Sequence, residues 1–299
     1  MNRLNYEKVF KTLVEETGNY LVNHSLRAIV LGVSGGIDST VVAAICCEVN
    51  KQTNIPLIGR SLPIKNKKDE FDVSKLVGEA FCNNFDVANL YDEYKCFLSG
   101  LVWREERIDL LDDTETMHPE KSKQQTLIAN GNIQARLRMI YLYNLASIHN
   151  GLVMSTDNQT EYQLGFWTIH GDVGDFDPIQ DLWKTEVYQL AEWLKLFYYT
   201  DGDDADKAVA IGESIKLTPT DGLGISNSDL DQIGAKSYND VDRVLQTLVC
   251  PASPENDRVQ DALTVEIGPE IIDKIIKRRS NSRFKREKSP IYISRERYE

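Results

Sequence analysis

The chain has 299 residues, 41% of them hydrophobic, so it can bury a full core in one large domain or in two small ones. Its formal net charge of −12 disfavours a nucleic-acid partner, because neutralisation of phosphates by basic side chains dominates that kind of affinity. The five cysteines show neither a Cys-x-x-Cys pair nor zinc spacing, and there is no secretory leader and no apolar run that could span a bilayer; we therefore expect free thiols in a cytoplasmic protein without a membrane partner.

The elements predicted from hydrophobic periodicity alternate between helix and strand. Apolar spacing predicts helices over 4–24, 40–50, 67–82, 132–150 and 183–197, and strands over 28–33, 55–64, 86–90 and 152–156. The charged stretch 91–123 is expected to form helix fragments and a mobile connection. Strands that alternate with helices favour an α/β fold, with a parallel twisted sheet and helices on both of its faces.

Two charged segments admit more than one interpretation. The acidic stretch 201–206 is favoured as a solvated loop over a metal site. The basic segment 277–288 is interpreted as a nucleic-acid tail, a grip for a substrate phosphate or a plain solvated helix end. The segments 91–123 and 200–224 are candidates for loops that close over a bound nucleotide.

The segment GVSGGIDS (32–39) links the first strand to the helix that follows and has the composition of a phosphate-binding loop. Gly35 and Gly36 allow positive φ and a close approach of the backbone to an anion. Ser34 and Ser39 add hydroxyl donors, and the helix directs its free N–H groups and the positive end of its dipole at the same place. Asp38 suits an anion site only if a divalent cation bridges it to the phosphates.

The sequence of this loop differs from the two best-known nucleotide-binding motifs. It lacks the Gly-Lys-Ser/Thr ending of a Walker A loop and the Gly-x-Gly-x-x-Gly of a dinucleotide fold, and the remaining alternative is an ordinary glycine-rich turn. In parallel sheets, ligands bind beyond the carboxyl ends of the strands. The loop and the turn 155–157 both follow predicted strands, so we expect them to face one crevice.

The loop resembles the pyrophosphate loop of the ATP pyrophosphatases, which cleave ATP between its α and β phosphates and adenylylate a substrate oxygen. Further segments resemble the ammonia-dependent NAD synthetases, and the resemblance covers roughly residues 25–292. The matching segments are KDE (68–70), NGNIQARLRM (130–139), STDNQTE (155–161), GFWTIHGD (165–172), DPI (177–179), KTE (184–186), KLTPT (216–220) and RFKR (283–286).

The resemblance implies a Rossmann-like adenine nucleotide alpha hydrolase fold and the reaction of ATP, deamido-NAD and ammonia to AMP, pyrophosphate and NAD. It implies Mg²⁺ held by Asp38 and Glu161, with Lys184 reaching the phosphates. The ATP-binding residues that it implies are Gly32, Val33, Ser34, Gly35, Gly36, Ile37, Asp38, Ser39, Thr156, Lys184 and Thr220.

The resemblance also implies contacts with deamido-NAD. These fall on Arg136, Ile169, Asp175, Phe284 and Lys285, of which the last two would come from the partner subunit of a homodimer. The sequence departs from the family where Ile169 replaces a usual lysine and Phe284 a usual histidine, and the stretch 171–178 is one residue shorter. Asp172 is a candidate for positioning ammonia and taking its proton, and the alternative is a structural role in the turn after Gly171.

The sequence leaves alternatives for the source of ammonia and for the reaction. The phosphate loop begins near residue 32, which leaves no room for an amidase domain ahead of it, so we expect a single synthetase domain over 1–299 that uses ammonia from solution or from a separate protein. Another ATP pyrophosphatase, such as a tRNA thiolase, and a non-catalytic nucleotide-binding protein are the competing hypotheses. A thiolase would show a catalytic cysteine pair, and a non-catalytic protein would bind ATP without turnover.

Overall fold

The computed structural model describes residues 4–109, 119–200, 204–219, 229–249 and 263–287. Within these ranges one sheet of four parallel strands has the order β3-β2-β1-β4. The strands are β1 (Ala28–Gly32), β2 (Leu57–Ser61), β3 (Asn84–Val87) and β4 (Gly151–Val153). This arrangement confirms the predicted α/β fold.

The helices whose bounds the structure describes cover the sheet or pack beside it. They are α1 (Tyr6–Asn23), α2 (Ile37–Thr53), α3 (Lys68–Phe81), α4 (Tyr91–Asp109), α5 (Pro119–His149), α6 (Gln159–Leu164), α7 (Lys184–Thr200), α8 (Ala205–Lys216), α9 (Asp229–Ile233), α10 (Tyr238–Val249) and α11 (Pro269–Asn281), with a 3-10 helix over Arg283–Arg286. None of them is long and apolar enough to cross a bilayer.

Both faces of the sheet are covered by helices. Neighbouring residues of a strand point to opposite faces, so adjacent residues of β1 belong to different cores. Ile29 and Leu31 of β1 contribute to a large core with α1, α2, α3, α7 and α8. Val30, between them, packs with Ala146 of α5 on the other face. This two-sided burial explains why β1 is apolar at nearly every position.

Several boundaries differ from the predicted ones. The third strand covers Asn84–Val87 instead of 86–90, and α5 begins at Pro119 instead of 132. The fourth strand ends at Val153, and the next residue, Met154, donates its N–H to the Val30 carbonyl at 2.8 Å and forms an isolated bridge with Phe176. These elements are bounded by tertiary contacts, which hydrophobic periodicity does not report.

The acidic stretch 201–206 was expected to be a loop, and its end is helical instead. Asp204 is the N-cap of α8, and its side chain accepts a hydrogen bond from the backbone N–H of Lys207 at 3.3 Å. Acidic residues favour the first turn of a helix, so part of the acidic stretch is a helix start. Residues 201–203 of this stretch, 110–118 of the charged segment and 220–224 of the second candidate loop lie outside the described residues.

A second, smaller core lies among α6, α9, α10 and α11. It contains Leu164 of α6, Leu245 of α10 and Ile275 of α11, all at most 1% exposed. The part of the chain after the sheet therefore contains a helical region, formed by α9, α10 and α11, that packs on α6. This region carries residues that meet the site described next.

Candidate active site

The glycine-rich loop 32–39 has a backbone conformation that its glycines allow. Gly35 has a φ of +85°, and a Cβ there would lie 2.7 Å from the carbonyl oxygen of Glu70. Gly36 is the N-cap of α2 and donates its N–H to Ser34 Oγ at 3.2 Å. Ser39 Oγ lies 2.9 Å from Ser34 Oγ and donates to the Gly36 carbonyl at 3.0 Å. The loop is thus held in shape by its own hydrogen bonds.

Helix α8 supports the loop from behind. Ser214 Oγ donates to the Gly35 carbonyl at 2.8 Å and lies 2.9 Å from Thr40 Oγ1. Thr40 Oγ1 in turn donates to the Gly36 carbonyl at 2.9 Å. Both hydroxyl groups are buried, so their hydrogen bonds restrain the two glycines without contacting solvent.

Three charged side chains meet beside the loop. Lys184, the first residue of α7, is 2% exposed, and its Nζ donates to Asp38 Oδ2 at 2.5 Å and to Glu161 Oε1 at 3.0 Å. Burial opposes the charge of this lysine, but the two carboxylates outweigh it and raise the pKa of Lys184. The ammonium is therefore a permanent cation between two carboxylates.

Asn158 positions both carboxylates. It is the N-cap of α6, accepts from the backbone N–H of Glu161 at 3.1 Å, and donates its own N–H to Glu161 Oε2 at 3.2 Å. Its side-chain amide also donates to Asp38 Oδ1 at 2.8 Å. One capping residue therefore connects the start of α6 with the start of α2.

The same two carboxylates have the chemistry of a magnesium site. Asp38 and Glu161 each direct one oxygen at the point where the Lys184 ammonium lies. Among the described residues, no group of three or more His, Cys, Asp or Glu side chains could hold a metal ion. Two carboxylates suffice for Mg²⁺ when nucleotide phosphates and water complete its octahedron.

Two adjoining cavities open at this edge of the sheet, with volumes of about 620 Å³ and about 240 Å³. Of the predicted ATP-binding residues, the larger cavity is lined by Ser34, Gly36, Ile37, Asp38, Ser39, Thr156 and Lys184. The smaller one is lined by Gly32, Val33, Ser34 and Thr156. Gly35 lines neither of these cavities, and Thr220 falls outside the described residues. The loop and the turn 155–157 therefore face one crevice, as predicted from their positions after two strands.

Three of the predicted substrate residues make contacts within the protein. Arg136 Nη2 donates to the Ile169 carbonyl at 3.2 Å. Asp175 accepts from Tyr143 Oη at 2.8 Å and from the Val153 N–H at 3.2 Å, so it holds the edge of β4. Neither cavity described above is lined by Arg136, Ile169 or Asp175.

Of the other predicted site residues, Asp172 and Lys285 line a cavity and Phe284 does not. Asp172 lines both cavities and accepts from the Thr168 N–H at 2.7 Å. Lys285, predicted to contact the substrate from a partner subunit, lines the larger cavity of its own chain; its entry into a partner's site stays a prediction. Phe284, next to it, is 54% exposed and lies outside both cavities.

Some lining residues were given no role by the sequence reasoning. Phe166 and Trp167 lie within a matching segment, and Arg278 lies within the basic stretch 277–288. Asp157 accepts from Ser155 Oγ at 3.0 Å, and burial together with Asp172 raises its pKa. These residues lie in sequence segments that match the family or are strongly basic. No local pattern in those segments indicates which side chains line the cavity.

A family model described as NAD synthase matches residues 9–289. The chain belongs to the NAD synthase family. An NH3-dependent NAD+ synthetase of Pyrococcus furiosus is 28% identical over 288 residues, which cover 96% of this chain and 94% of that protein. An NH3-dependent NAD+ synthetase of Thermoplasma acidophilum is 35% identical over 221 residues, 72% of this chain and 75% of that protein.

Solved structures share the fold of this NAD synthase family member. An NMN synthetase of Francisella tularensis superposes with a TM-score of 0.72, covering 98% of this chain and all of that one. The two sequences are 23% identical, so this likeness concerns the fold. The family match also decides among the ATP pyrophosphatases considered above and removes the tRNA thiolase hypothesis.

Proposed function

We infer that the chain is an NAD synthetase, an ATP-dependent ligase that amidates deamido-NAD with ammonia and releases AMP and pyrophosphate. The observation that carries this inference is the buried Lys184 between Asp38 and Glu161, next to a preformed phosphate-binding loop. Membership of the NAD synthase family and the NH3-dependent relatives support the choice of substrates.

The residues can perform the two steps of this reaction. The nicotinate carboxylate attacks the α phosphorus of ATP, pyrophosphate leaves, and ammonia then displaces AMP from the acyl-adenylate. Ser34, Ser39 and the N–H groups at the start of α2 would hold the departing pyrophosphate, where negative charge develops. Asp38 and Glu161 would hold Mg²⁺, which when bound neutralises charge on the phosphates.

Lys184 and Asp172 would have separate tasks in this scheme. Lys184 carries the cation nearest the loop, and we propose that it turns from Asp38 towards the phosphates when ATP binds. Asp172 lines the cavity on the side of the smaller pocket, where it can take the proton that ammonia releases on attack. The Thr168 N–H holds this carboxylate in place.

The reaction itself gives the first prediction. With ATP, Mg²⁺, deamido-NAD and ammonium, we expect AMP and NAD in equal amounts, measured by chromatography of the quenched mixture. Asp38→Ala should abolish both products, because it removes a carboxylate at the loop, whereas Asp206→Ala, at an exposed site on α8, should leave the rate unchanged. The competing hypothesis of a non-catalytic nucleotide-binding protein predicts ATP binding with no AMP.

The same assay tests the size of the acid substrate. Because the Francisella tularensis neighbour is described as an NMN synthetase, nicotinic acid mononucleotide belongs in a parallel reaction. We expect the dinucleotide acid to be the better substrate. AMP formation with the mononucleotide acid alone would keep the chemistry and assign this chain a smaller substrate.

A second prediction concerns the nitrogen donor. We expect ammonium to support turnover and glutamine alone to support none, since the NH3-dependent relative from Pyrococcus furiosus is matched over 94% of its length. The measurement is the initial rate of NAD formation with ammonium chloride or with glutamine freed of ammonia. Equal rates with the two donors would contradict the prediction.

Other parts of the proposal rest on family resemblance. The homodimer, the single domain over 1–299, Mg²⁺ as the metal and the cytoplasmic location stay predictions. Light scattering of the purified protein measures the oligomeric state, and a metal series in the AMP assay measures the preference for Mg²⁺.

A further inference from the structure

The larger cavity presents an electrostatic problem, because both proposed substrates are polyanions. Its acidic lining residues are Asp38, Glu70, Asp157, Glu161, Asp172 and Asp231. Among the described lining residues the cations are Lys184, Arg278 and Lys285. Cations are therefore scarce, and the position of each one limits where a phosphate can bind.

These three cations differ in what they contact. Lys184 lies between Asp38 and Glu161 beside the phosphate-binding loop. Lys285 donates to the carbonyl oxygens of Gly165 and Trp167, and its ammonium lies 5.5 Å from the centre of the Trp167 ring. Arg278 reaches the cavity from α11, on the same wall as Lys285.

Arg278 is held by a stacking contact. Its guanidinium carbon lies 3.7 Å from the centre of the Phe166 ring, which is within the range of a strong cation–π contact. Because the ring contacts the face of the guanidinium, the N–H donors at its edge are left for hydrogen bonds. These donors form a planar fork that fits phosphate oxygens. Phe166 therefore acts as a platform that presents Arg278 to the cavity.

The platform is attached to the catalytic region. Phe166 follows Gly165, the C-cap of α6, whose φ of +68° allows the chain to turn there. Arg279 Nε donates to Gln163 Oε1 at 2.8 Å, which ties α11 to the same short helix. Phe166 lies just past the end of α6, where its backbone N–H donates to the Glu161 carbonyl oxygen at 3.0 Å, so the platform is tied directly to Glu161.

Glu161, Phe166 and Arg278 line the same cavity, which suggests how a nucleotide acid would lie. The carboxylate that reacts must reach the α phosphorus of ATP, at the end of α6 that carries Glu161. A phosphate of the same nucleotide would then lie further along the wall, towards Phe166. We propose that Arg278 binds a phosphate of the acid substrate, with Phe166 as its positioning residue; this rests on the proposed function, which supplies a phosphate-bearing acid.

The test is a split between two Michaelis constants. Arg278→Gln should raise KM for deamido-NAD roughly 10- to 100-fold, the loss expected for charge-assisted hydrogen bonds to one phosphate. KM for ATP should stay within about threefold, since uniform binding of only one substrate is removed. Arg278→Lys should lie between, because an ammonium keeps the charge but loses the fork.

A matched control is available on the adjoining 3-10 helix. Arg283 has a side chain 82% exposed and pairs at 3.9 Å with Glu287. Arg283→Gln removes the same charge and should leave both constants unchanged. Calorimetric titration of deamido-NAD into each folded variant should show the same order of affinity without turnover, and the thermal midpoint of each variant establishes that it is folded.

Each outcome decides a separate point. An unchanged KM for deamido-NAD in Arg278→Gln, or a rise in KM for ATP alone, would overturn the assignment of Arg278. An equal rise in Arg283→Gln would reduce the effect to net charge and would also overturn it. A wild-type protein that makes no NAD would instead refute the proposed function. If Arg278→Gln does not fold, Phe166→Leu and Arg278→Lys provide the same comparison of the two constants.

Discussion

Replacing Lys184 with methionine is expected to lower kcat by roughly 10²- to 10³-fold, the usual effect of removing one group that stabilises charge in a transition state. Methionine keeps much of the volume of the lysine but leaves Asp38 and Glu161 facing each other without a cation. Breaking a buried ion pair in this way typically costs about 3 kcal/mol of unfolding free energy. AMP release and urea unfolding of the purified variant measure the two effects.

Two further variants separate charge from function. Lys195→Met, on the same helix, removes an exposed lysine that pairs with Glu192 at 2.5 Å, and should change the unfolding free energy by less than about 0.5 kcal/mol. The double variant Lys184→Met with Glu161→Gln should recover part of the lost stability, because one of the opposed charges is gone, but none of the activity. Wild-type kcat in Lys184→Met would contradict the role proposed for this lysine.

Replacing Asp242 with alanine is expected to lower the unfolding free energy by about 2–3 kcal/mol, because it leaves buried donors without a partner. Asp242 is 1% exposed on α10 and accepts from Thr160 Oγ1 at 2.5 Å and from the Thr185 N–H at 2.9 Å. Thr160 Oγ1 also accepts from the Lys184 N–H at 2.9 Å. This one carboxylate thus joins the helical region to the starts of α6 and α7.

The same variant should lower activity, although Asp242 lines neither cavity. Loss of its hydrogen bonds frees the segments that carry Glu161 and Lys184, and small displacements of such groups are costly to catalysis. We expect kcat to fall roughly tenfold, with Asp242→Asn retaining more activity because its amide oxygen can still accept one hydrogen bond. Asp240→Ala, on the same helix, is the control, since Asp240 contacts only the nearby Ser237 in the hydrogen bonds described. Unchanged stability and kcat in Asp242→Ala would refute this role.

The boundaries of the fold show where local patterns were sufficient. The order of β1, loop and α2 was predicted correctly, with the strand within one residue and the helix within three residues at each end, because a strand buried on both faces and a glycine-dependent turn leave strong local signals. Helix α8 was not predicted at all, because the acidic residues that cap it have the composition of a solvated loop and 200–224 was interpreted as a loop. The substrate residues were carried over from a family pattern, and in this structure Arg136 and Asp175 contact the protein itself.

By itself the sequence determined the α/β fold, the glycine-dependent turn after β1 and the family, because alternating periodicity, the need for glycine at a φ of +85° and ordered motifs are all properties of short segments. Only the tertiary structure decided that Lys184 lies between Asp38 and Glu161, across 146 and 23 residues of chain. It likewise decided that Arg278 stacks on Phe166 at the cavity wall. Contacts between residues so far apart depend on how helices pack around the sheet, and no local pattern in a single sequence specifies that packing.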